Sequence, residues 1–187
     1  MPIKYGDGDL ERTPAVQLTE EHMNKQDITI LFHYNEWSTA RILGKAAMLS
    51  QAQFLASVPF PHGSLRATLV HALFAEWVWR RRWEGFPRNS VLNPEDFPTL
   101  DALSERWAEE TRRLNDFVAN VSEERLQSKF NYVSTEGLAH ERVMWESMAH
   151  VVNHGTQHKT EAAAILTAFG HSPGDIDLIV YFNEGGQ

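Results

Sequence analysis

Apolar side chains recur at helical spacing in four long stretches of the chain. In the first, Ile30, Leu31, Tyr34, Trp37, Ile42 and Leu43 follow the three-and-four rhythm of a helix with one apolar face. The pattern predicts a helix from a cap at Asp27 to about Ser57, broken by Pro59 and Pro61. Ser64 is the predicted N-cap of a second helix reaching about Trp83, with a stripe of Leu65, Leu69, Val70, Leu73, Trp77 and Val78. The stretch from Gly85 to Pro98 is rich in proline and asparagine and reads as a loop. Thr99 or Asp101 caps a third helix running to about Asn120, with Leu103, Trp107, Leu114, Phe117 and Val118 on its apolar face. A fourth begins near Arg142 and stops at Gly170, a natural residue for a left-handed helix end.

Between the third and fourth helices the period changes. Phe130 and Tyr132 flank Asn131, and Glu136-Gly137 is a turn signal, so a short β-hairpin or extended crossover is expected there. The tail SPGDIDLIVYF carries apolar residues at its end and is expected to pack back on the helices. Residues 1–21 are polar, with Gly6, Gly8 and Pro14, and read as an irregular N-terminal arm. Four long helices with one long crossover point to an all-α four-helix bundle, with residues 1–187 as one domain.

Composition narrows the chemistry. With no cysteine, thiolate metal sites, disulfides and cysteine nucleophiles are excluded, so any metal is held by nitrogen and oxygen. A formal charge of −8 opposes nucleic-acid binding. No apolar run is long enough to cross a bilayer and no leader is evident, so a cytoplasmic protein without a membrane partner is expected. Arg80, Arg81 and Arg82 read as the solvated, cation-favouring end of the second helix. Trp37, Trp77, Trp107 and Trp145, one to each helix, are expected in the core. Trp79 and Trp83 are expected to be partly exposed, as a face for a homodimer.

The chain has nine histidines, and the informative run is HVVNHGTQHKTEAA, which spaces His150, His154 and His158 four apart. Side chains four apart on a helix meet, so two such imidazoles can reach one ion or simply pack as a pair. No Glu follows the first His, so the general base of an HExxH peptidase is missing. His71 lies among apolar residues in LVHALFAEW, where a buried imidazole needs a partner: a metal, or a backbone carbonyl in a satisfied core position. Three imidazoles spread over two turns of one helix hardly converge on one ion, so His150 is expected to support or pack rather than ligate. Glu161, three past His158, is a candidate for holding a ligand histidine in place. Glu76 points about 140° around the helix from His71, away from such a site. His33 is a weaker candidate to approach it, while His22, His62, His140 and His171 are expected to face water.

These segments resemble the DinB/YfiT-like superfamily. NHGTQHKTEAAAIL is similar to its last-helix signature, LVHALFAEWVWRRR to its second helix, LFHYNEWSTARIL to its first, and PGDIDLIVYF to its ending. The resemblance implies an up-down-down-up bundle. It also implies one divalent ion bound by His71, His154 and His158; zinc or nickel is the expected metal, and the helix spacing leaves His150 and Glu161 as the candidates to stand beside the ligands. Lys159-Thr160-Glu161 stands where Arg-Gly-Gln is common in the family.

Three neutral ligands leave an ion its full charge and open positions for water or a thiol. Some members of the superfamily use low-molecular-weight thiols to transfer or isomerise substrates, and others are assigned to metal-dependent hydrolysis. The resemblance therefore implies a small-molecule substrate and a thiol S-transferase or hydrolase, commonly as a homodimer. A non-catalytic metal- or ligand-binding stress-response bundle is the alternative.

Overall fold

The computed structural model describes residues 22–86 and 91–186; the expected N-terminal arm lies outside them. Four long helices carry the fold: α1 (Lys25–Ala46), α3 (Leu65–Trp83), α4 (Leu100–Asn120) and α6 (Met144–Ala168). Shorter helices are α2 (Gln51–Leu55), α5 (Glu123–Gln127) and α7 (Leu178–Asn183), with a 3-10 turn at Pro94–Asp96. The two strands β1 (Lys129–Val133) and β2 (Ala139–Val143) form an antiparallel hairpin with Phe130 opposite Arg142 and Tyr132 opposite His140. The chain is thus an all-α bundle with a hairpin before its last long helix.

Caps explain most of the boundaries. Asn24 and Asp27 close a capping box at the start of α1, so Asp27 supports the cap instead of being it. The Ser64 and Thr99 side chains each accept from the backbone three residues on, opening α3 and α4. Gly170 adopts φ 83° just past α6, a conformation that side-chain-bearing residues rarely take. The first predicted helix is two: it stops at Ala46 and restarts as α2 behind Ser50, whose side chain caps Gln53 in a second capping box.

The core has two apolar clusters, which reveal the direction of each helix. Ile28, Phe32 and Tyr34 of α1 share one cluster with Trp83, Leu114, Val118 and Met144–Val152. Ile42 and Ala46 share the other with Leu65–Leu73, Leu103, Trp107 and Ala162–Leu166. Helices α1 and α6 therefore run from the first cluster to the second, and α3 and α4 run back, an up-down-down-up bundle. Each long helix packs on two others, with α6 against both α1 and α3. Ile176 and Tyr181 of the tail are buried on the bundle.

Between the clusters lies a belt of buried polar groups. Lys159 is 1 % exposed; its Nζ donates to Asn35 Oδ1 (2.7 Å), Asn35 O (3.1 Å) and Ser38 Oγ (2.6 Å). Asn35 Nδ2 donates to Glu76 Oε1 (2.7 Å), and Trp107 Nε1 donates to Glu76 Oε2 (2.8 Å). The network ties all four long helices together. Satisfying every buried donor here matters because an unpaired one costs a few kcal/mol.

Expectations about several side chains are corrected here. Arg80 is not solvated: it is buried and grips Glu110 with two nitrogens and Glu84 with the third. The carboxylate of α4 draws it inward, and a buried guanidinium tolerates this when its fork is matched. Trp83 is 2 % exposed, its Nε1 donating to Ser147 Oγ (2.9 Å), so it is core rather than a partner face. Trp107 is in the core as expected, whereas Trp37, Trp77 and Trp145 are only partly buried. No helix among the described residues is long and apolar enough to cross a membrane.

Candidate metal centre

The close packing of α3 on α6 brings His71 to the α6 histidines. The ring centroids of His71 and His158 are 4.5 Å apart, those of His154 and His158 4.4 Å, and those of His71 and His154 5.3 Å. One helical turn separates His154 from His158, which sets their proximity; the antiparallel pairing of two helices sets the other two distances.

A fourth ring joins them. His62, on the turn between α2 and α3, stacks on His71 at 4.3 Å and meets His158 edge-on at 5.0 Å. Ligand nitrogens of His62, His71 and His158 lie within 4.8 Å of one another, a group that could hold a metal ion and that does not include the expected ligand His154. The expectation that His62 faces water is therefore corrected. Val58 and Phe60 pack on the core and draw the turn onto the bundle. A sequence clue existed in HGSL, a histidine two residues before a helix cap and nine before His71, but it carries no direction.

His158 itself is 5 % exposed. Its Nδ1 lies 2.8 Å from Glu161 Oε2, and a carboxylate only accepts, so Nδ1–H is the donor. In the neutral ring Nε2 then carries the lone pair. It is buried and has no hydrogen-bond partner among the described residues. A buried acceptor of this kind is costly unless something occupies it, and a divalent cation among imidazoles suits it.

The surrounding rings are held neutral. Burial first, and then the neighbouring imidazoles His62, His158 and His154, pull His71 down to about 4. Burial, followed by His158, His150 and His62, does the same to His154, also to about 4. Burial and His158 lower His62 too. At neutral pH these nitrogens offer lone pairs rather than protons, as a metal requires.

The other singled-out residues fall outside the cluster. His150 stacks on His154 at 5.6 Å with its other side against Trp79 at 5.4 Å, continuing the row without joining the close group. Glu76 is in the buried belt, facing Asn35 and Trp107. His33 is exposed on α1, His140 stacks on Tyr132 at 5.3 Å, and His22 lies against Trp145. Asn153 is exposed.

An up-down-down-up bundle with a histidine cluster between its second and last long helices defines a helical bundle with a candidate metal site. The DinB family model matches residues 22–184, and the chain belongs to the DinB family. It is also similar to Protein DinB of Bacillus subtilis (strain 168), 22% identical over 165 residues, covering 81% of this chain and 91% of that protein.

Proposed function

We propose that this chain is a divalent-metal-dependent enzyme in which His71, His154 and His158 hold one ion, zinc or nickel, and a low-molecular-weight thiol reacts with a small-molecule acceptor. The observation that carries the reading is the buried Nε2 of His158, without a hydrogen-bond partner among the described residues, beside the neutral His71 and His154. When bound, the ion supplies Lewis acidity that favours ionisation of a thiol or water.

The chain's own groups do the positioning. Glu161 fixes the His158 tautomer and presents Nε2 as the ligand atom. The buried Lys159–Asn35–Glu76 belt locks the turn of α6 that carries His158 against α1 and α3. S-transfer is preferred over hydrolysis because none of the described carboxylates stands at the cluster free to serve as a general base: Glu161 is engaged by His158 and Glu76 by the belt. The same reading places residues 1–187 in one cytoplasmic domain and expects a homodimer, which sedimentation analysis tests.

A non-catalytic metal site is the second reading. The approach of His62 to His71 and His158 favours it, since a further protein ligand would close the site, as structural sites normally are.

Elemental analysis of untagged protein beside the His71→Ala variant tests the proposal. About one metal per chain in the wild type, lost in the variant, supports the cross-helix site. Absence of metal in both folded proteins, after incubation with zinc, nickel and manganese, rejects it.

A further inference from the structure

The α2–α3 turn is built to deliver one side chain. Gly63 N donates to Phe60 O (2.8 Å), Val58 N donates to Gly63 O (2.9 Å), and Phe60 N donates to Val58 O (2.8 Å). Gly63 takes φ 76°, which lets the chain reverse directly after His62. Val58 and Phe60 anchor the turn in the core, and Ser64 opens α3 immediately afterwards. His62 is thus held over the histidine cluster by a hydrogen-bonded turn with apolar anchors on its N-terminal side.

Its partners there are imidazoles. The ring meets His71 and His158, with ligand nitrogens inside 4.8 Å of theirs, and the orphaned Nε2 of His158 sits in the same group. Several buried or half-buried nitrogens brought together without mutual hydrogen bonds are poorly placed for packing alone. A shared cation explains them together.

We propose that His62 is a fourth protein ligand of the resting metal site, and the one that an incoming thiolate replaces. The inference rests on the metal-site reading above and goes beyond its three-histidine set. Exchange at His62 follows from its place in the fold. His71, His154 and His158 stand on long helices packed through both core clusters. His62 stands outside them, on the turn before α3, so its side chain can swing to another rotamer while the turn and the helices stay packed.

Cobalt(II) is the probe, because its visible bands report coordination number and its thiolate complexes show a charge-transfer band. Wild type, His62→Ala and His71→Ala are loaded with Co(II), checked for helix by circular dichroism, and titrated with 2-mercaptoethanol. The expected result is one Co(II) in wild type and in His62→Ala, with a changed visible spectrum in the variant. The thiolate band should appear at about tenfold or more lower thiol concentration in His62→Ala, as when the open form is a tenth or less of the wild-type population. An unchanged spectrum in His62→Ala overturns the ligand assignment. A changed spectrum with no thiolate band in wild type at any thiol concentration overturns the exchange and leaves a closed site. Retention of Co(II) by His71→Ala rejects the three-histidine reading instead, so the two failures are distinguishable. Should His62→Ala lose helix, His62→Gln carries the same measurement.

Discussion

The Nδ1–H of His158 points at Glu161 Oε2 across 2.8 Å, one helical turn away, and this leaves the buried Nε2 as the only nitrogen of that ring able to bind a cation. A carboxylate behind a ligand histidine sets the tautomer and raises its basicity. Replacing Glu161 with Ala should weaken zinc binding about 10- to 100-fold, the usual effect of losing such a support. Isothermal titration of the metal-free protein with zinc checks this. Equal affinities in Glu161→Ala and wild type would show the contact to be incidental.

Acid should destabilise the metal-free protein. His71 and His154 fall from 6.5 in a free side chain to about 4 in the folded state, burial being the first cause in each. The unfolded chain therefore binds more protons than the folded one between those values, and stability declines as pH falls from about 6.5 towards 4. The urea midpoint of chelator-treated protein should be flat above about pH 7 and drop steadily below it. A His71→Ala/His154→Ala double variant should show a shallower slope.

The belt at mid-bundle predicts a different signature. Removing the ammonium in Lys159→Met takes from buried Glu76 the positive charge that offsets its own and from Asn35 Oδ1 its donor; breaking a buried pair of charges costs about 3–5 kcal/mol. The double variant Lys159→Met/Glu76→Gln should be less destabilised than the sum of its singles, because the orphaned charge is gone. Urea unfolding of the four proteins measures the coupling, and strict additivity would show that Asn35 does not transmit it.

Gly155 has no such latitude. A Cβ there would come within 2.9 Å of Asn35 Oδ1, an atom already held by Lys159 at 2.7 Å. Alanine is a better helix former than glycine by about 1 kcal/mol, yet overpacking of this kind costs about 1–3 kcal/mol. Gly155→Ala should therefore lose stability on balance, and a rise in its melting temperature would contradict the rigid belt.

Much of the architecture is written in local pattern. The helix starts at Ser64 and Thr99, the stop at Gly170 and the hairpin around Tyr132 depend on residues within a few positions of each other; Ser64 and Gly170 were readable outright, Thr99 as one of two caps and the hairpin as one of two extended forms. The restart of the chain at α2 was readable too, since Ser50 and Gln53 spell a capping box; the continuous apolar rhythm on either side hid it. His154 and His158 were legible as a pair because four residues are one turn of one helix.

Partners that meet only when helices pack were beyond such reading. Arg80 looks like a solvated arginine until α4 brings Glu110 beneath it, and Trp83 looks exposed until Ser147 of α6 accepts its N–H. His62 is the sharpest case: it stands 96 residues before His158, and nothing in its neighbourhood names that partner. The sequence by itself determined the helices, their caps and the one-turn spacing of two histidines, because these follow from short-range sterics and hydrogen bonding. Only the tertiary structure decided which side chains share the centre and the belt, because those contacts depend on the direction and rotation of whole helices set by burial of both apolar clusters.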